Sequence, residues 1–176
     1  VPCLFSSVIA YAITQKLHVQ HAHYVIAGMP SSVSVMLVLK VLGLAILCAI
    51  LSSLFCIFMT MVHKLFRKYF KNQYVRVFAG GVLLVLLNIV LKTTDYNGTG
   101  MNIITDALNG QAKPAAFLFK AVFTAITIGC GFRGGEIVPS FFVGATFGCV
   151  MGGVMGLDPG FAAALGMVCF FCGVVN

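Results

Sequence analysis

Charged side chains are scarce in this sequence. Eleven Lys and Arg and four Asp and Glu, 9% of 176 residues, stand against 60% hydrophobic residues, with a mean hydropathy of +1.05. Soluble domains carry about 25% charged residues, and a chain so poor in charge cannot cover a globule with polar surface. Most soluble enzymes, nucleic-acid binders and disordered tails are thereby excluded, and the hydrocarbon of a bilayer becomes the expected solvent. The net charge of +7 then reads as basic residues in cytoplasmic loops rather than as an affinity for nucleic acid. No disulfide framework is present either. The seven cysteines (Cys3, Cys48, Cys56, Cys130, Cys149, Cys169 and Cys172) sit mostly inside apolar runs, where a free thiol acts as a small hydrophobe. The period-2 alternation of a transmembrane barrel is missing too, because the apolar runs are apolar on every face. Nor does a leader pattern open the chain, which begins at Val1 and reads as a fragment or processed piece.

Six apolar segments remain, pointing to an all-α membrane protein. The first runs from Val1 to Leu17, and the second follows Pro30-Ser31-Ser32 and continues to about Val62. The third, Val77 to Leu91, is expected to span only about 22 Å at 1.5 Å per residue, too short to cross alone unless extended. Turn-rich Thr93 to Gly100 leads into a short amphipathic piece, Met101 to Leu108. The fourth runs from Pro114 to about Cys130 with Lys120 inside it, the fifth from Ser140 to Met155 and the sixth from Phe161 to Val175. In the fifth, Gly144 and Gly148 form a small-xxx-small seam that permits close helix contact in lipid. Lys64, Arg67, Lys68, Lys71 and Arg76 fall between two apolar segments with no acid among them. The positive-inside rule places that stretch in the cytoplasm, where affinity for anionic lipid follows from topology alone.

Chemistry concentrates around Glu136. Arg133 and Glu136 are charges in a glycine-rich break between two apolar helices. Backbone broken at membrane depth is tolerated only where it is buried in protein or lines a cavity. A helix opening there leaves amides unpaired, and with the helix dipole these favour an anion. An anion site on a broken helix, as transporters use, is one reading. A plain interfacial turn with both charges in water is the other.

The segment Gly134-Gly135-Glu136-Ile137-Val138-Pro139-Ser140-Phe141-Phe142-Val143-Gly144-Ala145 resembles the G-x-F-x-P anion-binding segment, and the helix after it, of the CLC chloride channels and proton-coupled halide antiporters. Upstream, Gly98-Thr99-Gly100-Met101-Asn102 resembles that family's G-G-G-F-N turn. Downstream, Gly160-Phe161-Ala162-Ala163-Ala164-Leu165-Gly166-Met167 resembles its G-x-[FY]-A-x-x-G-M helix.

The resemblance implies part of the CLC inverted-repeat fold, with broken, tilted helices. Residues 1–176 would be a single, incomplete transmembrane region covering about helices I to O of the second repeat. The first repeat, with its gating glutamate, and the last helix, with its tyrosine, would lie outside. It implies halide transport, of chloride or fluoride, by a channel or a proton/anion antiporter. Such a protein is not an enzyme and has no cofactor beyond the ions it moves.

The implied anion-binding segment is Gly134, Gly135, Glu136, Ile137, Val138 and Pro139, with the amides of Glu136 and Ile137 as the contacting pair and Ile137 in place of the usual Phe. An acid at position 136 is similar to the fluoride/proton branch. A carboxylate there repels a halide unless protonated, making Glu136 the proton-coupling candidate. Membrane lipid, a homodimer of the full-length protein built on the first helix, and a multi-pass place in a bacterial plasma membrane are also implied.

Weaker signals favour ordinary roles. His18, His21 and His23 resemble a metal cluster but read as a loop of histidines, since no Cys or carboxylate lies nearby, and no metal site is assigned. Asn97-Gly98-Thr99 fits a glycosylation acceptor within a turn that the CLC family buries, which disfavours modification. Cys169 and Cys172 form C-x-x-C with no cation to stabilise a thiolate, which favours packing. A structural or assembly subunit and a thiol redox membrane protein remain the alternatives to anion transport.

Overall fold

The computed structural model describes residues 2–17 and 34–175. Among these residues every regular element is helical: α1 Pro2–Lys16, α2 Val35–Tyr69, α3 Gln73–Leu91, α4 Met101–Leu108, α5 Ala116–Gly129, α6 Ile137–Met155 and α7 Pro159–Val175. His18, His21, His23 and Pro30 to Ser32 lie outside the described residues.

Helix ends fall where local chemistry puts them, in several places beyond the apolar runs. The Ser34 hydroxyl accepts from the Leu37 amide at 3.1 Å and starts α2. This helix runs straight through Lys64, Arg67 and Lys68 to Tyr69. Long basic side chains are good helix formers, and Arg67 and Lys68 in the last turn complement the dipole. The expected basic loop is therefore mostly helix. Asn72 accepts from the Tyr74 amide at 3.0 Å and starts α3. The short third segment thus gains a turn and becomes a 19-residue helix. Asp158 Oδ1 accepts from the Gly160 and Phe161 amides at 3.0 and 3.1 Å. With Pro159 at the first helical position, where its missing N–H is harmless, α7 starts earlier than the apolar run does. In α6 the start is Ile137, so Pro139 occupies the third position, still inside the turn whose amides have no intrahelical partner.

Packing centres on α6 and α7, the most extensive helix pair. A Cβ at Gly148 would run into the Ala162 carbonyl, and one at Gly144 would come within 2.5 Å of the Gly166 carbonyl. Only bare backbone allows so close a crossing, and in lipid such contact supplies much of the helix–helix attraction. Against this pair α2 lays a narrow stripe, Leu44, Cys48, Ser52 and Phe55, one residue per turn. Phe55 meets Phe170 edge-on at 5.6 Å. Amphipathic α4 buries Ile104, Ala107 and Leu108 over α6 and α7, closing a core that includes Tyr96, Phe123 and Phe142. Helices α2, α3 and α6 are long and apolar enough to cross a membrane. Ile46, Ile50, Leu54, Ile57 and Met61 of α2 face outward and exposed, as hydrocarbon requires.

Candidate functional site

A break between α5 and α6 organises the site. Helix α5 ends in a Schellman turn: the Gly131 amide donates to the Ile128 carbonyl at 3.1 Å and the Phe132 amide to the Thr127 carbonyl at 3.2 Å. That motif needs left-handed backbone at its hinge, and Gly131 supplies it with φ +103°. Arg76, at the start of α3, donates from Nε to the Cys130 carbonyl at 3.2 Å. The loop of residues 133–136 is therefore anchored where it leaves α5.

It delivers the chain to an uncapped helix. Glu136 occupies the N-cap position of α6 with αR backbone, and its side chain makes no capping bond. The first amides of α6, Ile137 and Val138, have no carbonyl a turn behind them in the helix. Gly134, Gly135, Ile137, Val138 and Pro139 line an open cavity of about 600 Å³. Leu84 of α3, the 96–99 turn, and Lys120, Phe123, Thr124, Thr127 and Ile128 of α5 form its other walls. The Thr124 and Thr127 hydroxyls donate backward to the Lys120 and Phe123 carbonyls at 2.8 and 2.7 Å.

Five of the six sequence-derived residues thus come together on one wall. The side chain of the sixth, Glu136, is exposed and does not line this cavity; its carboxylate lies within electrostatic reach of the Cys56 thiol on α2. Arg133 is exposed as well. Cys169 packs beside Leu44 and Cys48 in a core cluster, Cys172 is exposed, and both are free thiols.

The anchor Arg76 and the buried Lys120 were not among the expected site residues. Lys120 had a signal, being the one charge inside the apolar helix α5, where an ionisable residue marks function by default. Arg76 had none, since its partner is a backbone carbonyl 54 residues away.

The turn opposite the α6 opening is held from several sides. Asn88 Nδ2 donates to Asn97 Oδ1 at 3.2 Å. Lys113 pairs with Asp95 at 2.6 Å, and this ammonium, with Thr93 adding to the effect, holds the Asp95 carboxyl below the usual carboxylate range. Gly100, with φ +68°, lets the backbone pass over the Phe142 ring, which a Cβ would strike.

A helical body apolar on its outer faces, with the start of one helix opening onto a cavity between elements, defines an integral membrane protein of the broken-helix kind. The family model described as voltage gated chloride channel matches residues 1–176. The chain belongs to that family. It is 32% identical over 184 residues to a chloride/fluoride channel protein of Pseudomonas syringae pv. tomato, covering 99% of this chain and 40% of the relative. Its fold matches the crystal structure of a CLC-type fluoride/proton antiporter with a TM-score of 0.82 and 29% identity, over 91% of this chain and 40% of that one. The chain thus spans about 40% of the length of either protein.

Proposed function

We propose that the protein containing this chain transports halide ions, fluoride or chloride, across a bacterial plasma membrane, and that residues 134–139 form part of its anion site. The observation that carries this reading is the uncapped start of α6 opening onto the cavity. Free amides at the positive end of a helix dipole suit an anion. Kinship with a protein named for chloride and fluoride narrows the anion to a halide. In this reading the amides of Glu136 and Ile137 touch the ion.

In this reading the exposed Glu136 carboxylate, outside the cavity but next to its Gly135 and Ile137 lining, acts on the ion through space. A carboxylate and a halide about 4 Å apart repel by roughly 4 kcal/mol at an effective dielectric of 20, and by about 1 kcal/mol in water. Protonation relieves that repulsion, so proton and anion occupancy become linked. The likeness to a fluoride/proton antiporter suits exchange and that to a chloride/fluoride channel protein suits a channel; coupled proton movement separates the two. A multi-pass homodimer completes the picture, with α1 at the subunit interface.

The test is flux of fluoride and chloride from proteoliposomes of the complete protein, with external pH followed in parallel. Glu136→Gln is expected to keep the fold and lose coupled proton movement. Unchanged flux with unchanged proton stoichiometry would make this carboxylate a bystander and leave only the amides.

A further inference from the structure

Lys120 is 2% exposed, and nothing in the mechanism above uses it. Its Nζ donates to the carbonyls of Tyr96 at 3.0 Å and Gly98 at 2.7 Å, and sits 5.0 Å from the centre of the Phe142 ring. Carbonyl dipoles and a ring face attract an ammonium, yet neither brings a negative charge. Among the described residues the one ion pair is Lys113 with Asp95. Glu136, Asp106 and Asp158 are exposed, and none is paired with Lys120. A buried charge without a counter-charge is costly, and in a membrane body such a residue points to a use.

Position supplies the use. Lys120, Tyr96 and Gly98 all line the cavity onto which α6 opens. Without the lysine, the two carbonyls it caps would lose this donor, leaving negative dipole ends beside the cavity, an arrangement suited to a cation. With it, both oxygens are occupied and the lining that includes the α6 opening also carries a positive charge. We infer that Lys120 is a specificity-determining residue for the anion: it converts the carbonyl turn at Tyr96–Gly98 from a cation-favouring into an anion-favouring wall, and the bound halide is its missing counter-charge. This inference rests on the cavity being the anion site.

The experiment is equilibrium binding of sodium fluoride and sodium chloride to the purified complete protein by calorimetry. Lys120→Gln keeps donors for the carbonyls and removes the charge, whereas Lys120→Arg keeps the charge. Coulomb's law, for a charge about 10 Å away at an effective dielectric of about 20, makes the expected loss in Lys120→Gln about tenfold or more. Lys120→Arg should stay within about threefold of the parent, by the same law. Wild-type affinity in a folded Lys120→Gln would overturn the proposal and reduce the lysine to a clamp on the turn. If Lys120→Gln does not fold, Lys120→Arg decides: retained affinity supports the charge role and lost affinity contradicts it.

Val138→Phe, which fills the cavity from α6, separates the two levels of the argument. Affinity lost in Val138→Phe but kept in Lys120→Gln sinks the lysine inference alone. Affinity kept in Val138→Phe sinks the cavity reading and the inference with it.

Discussion

Arg76 shows how one side chain can reach a site it does not line. Its guanidinium fixes the Cys130 carbonyl, and the Schellman turn passes that constraint to the loop of residues 133–136. Arg76→Met should cost about 1.5 kcal/mol of stability, the lower end for a hydrogen bond to a charged donor, at a half-buried site. It should lower halide affinity more than that loss explains, because the α6 amides depend on the loop's path. Thermal unfolding in detergent beside halide calorimetry checks both. At this scale the sequence was partly legible. Gly134 to Pro139 could be singled out because glycines and charges interrupt an apolar run, a pattern visible along the chain. The bonds of Arg76 and Lys120 to distant carbonyls follow from tertiary approach, which no spacing encodes.

Among elements, the α6–α7 crossing and the turn from Thr93 to Gly100 behave differently. The crossing relies on glycine, so Gly148→Val forces a side chain against the Ala162 carbonyl. Overpacking of this kind typically costs about 1–3 kcal/mol, and a lowered midpoint in a detergent melt would register it. The turn relies partly on the Asp95–Lys113 pair. Because the folded Asp95 carboxyl is held below its ordinary range, its contribution is complete above the unfolded value of about 4 and fades as pH falls through the folded one. Lys113, raised by its hydrogen bond to Asp95, contributes below its ordinary value and loses that contribution as pH climbs through the raised one. Asp95→Asn should therefore be less stable than the parent at pH 7, with the gap closing in acid below about pH 4, as melts across a pH series would show. Helix existence was legible from the apolar runs, and α4 matched its expected limits because its burial alternates at helical spacing. The extension of α2 and α3 through the basic cluster was not legible from hydropathy, since helix propensity decides the end of α2 and capping by Asn72 decides the start of α3.

For the whole molecule, the outward faces of α2 and α3 are apolar and exposed, as a membrane body requires. The basic end shared by α2 and α3, with five cations and no acid, should lie in the cytoplasm. Lys71→Cys, in the short connection between these helices, is expected to gain no labelling by an impermeant thiol reagent on intact cells over the parent; labelling before lysis would reverse the topology. Fold class and family were legible because three motifs recur in order around apolar segments. The cavity was not, since it needs residues from α3, the 96–99 turn, α5 and the α6 opening to converge. The most direct test of the account is halide efflux from proteoliposomes of the complete protein, comparing the parent with Val138→Phe. Fluoride or chloride should leave parent vesicles and be retained by the variant at equal protein incorporation, whereas equal efflux from both would place the anion path elsewhere.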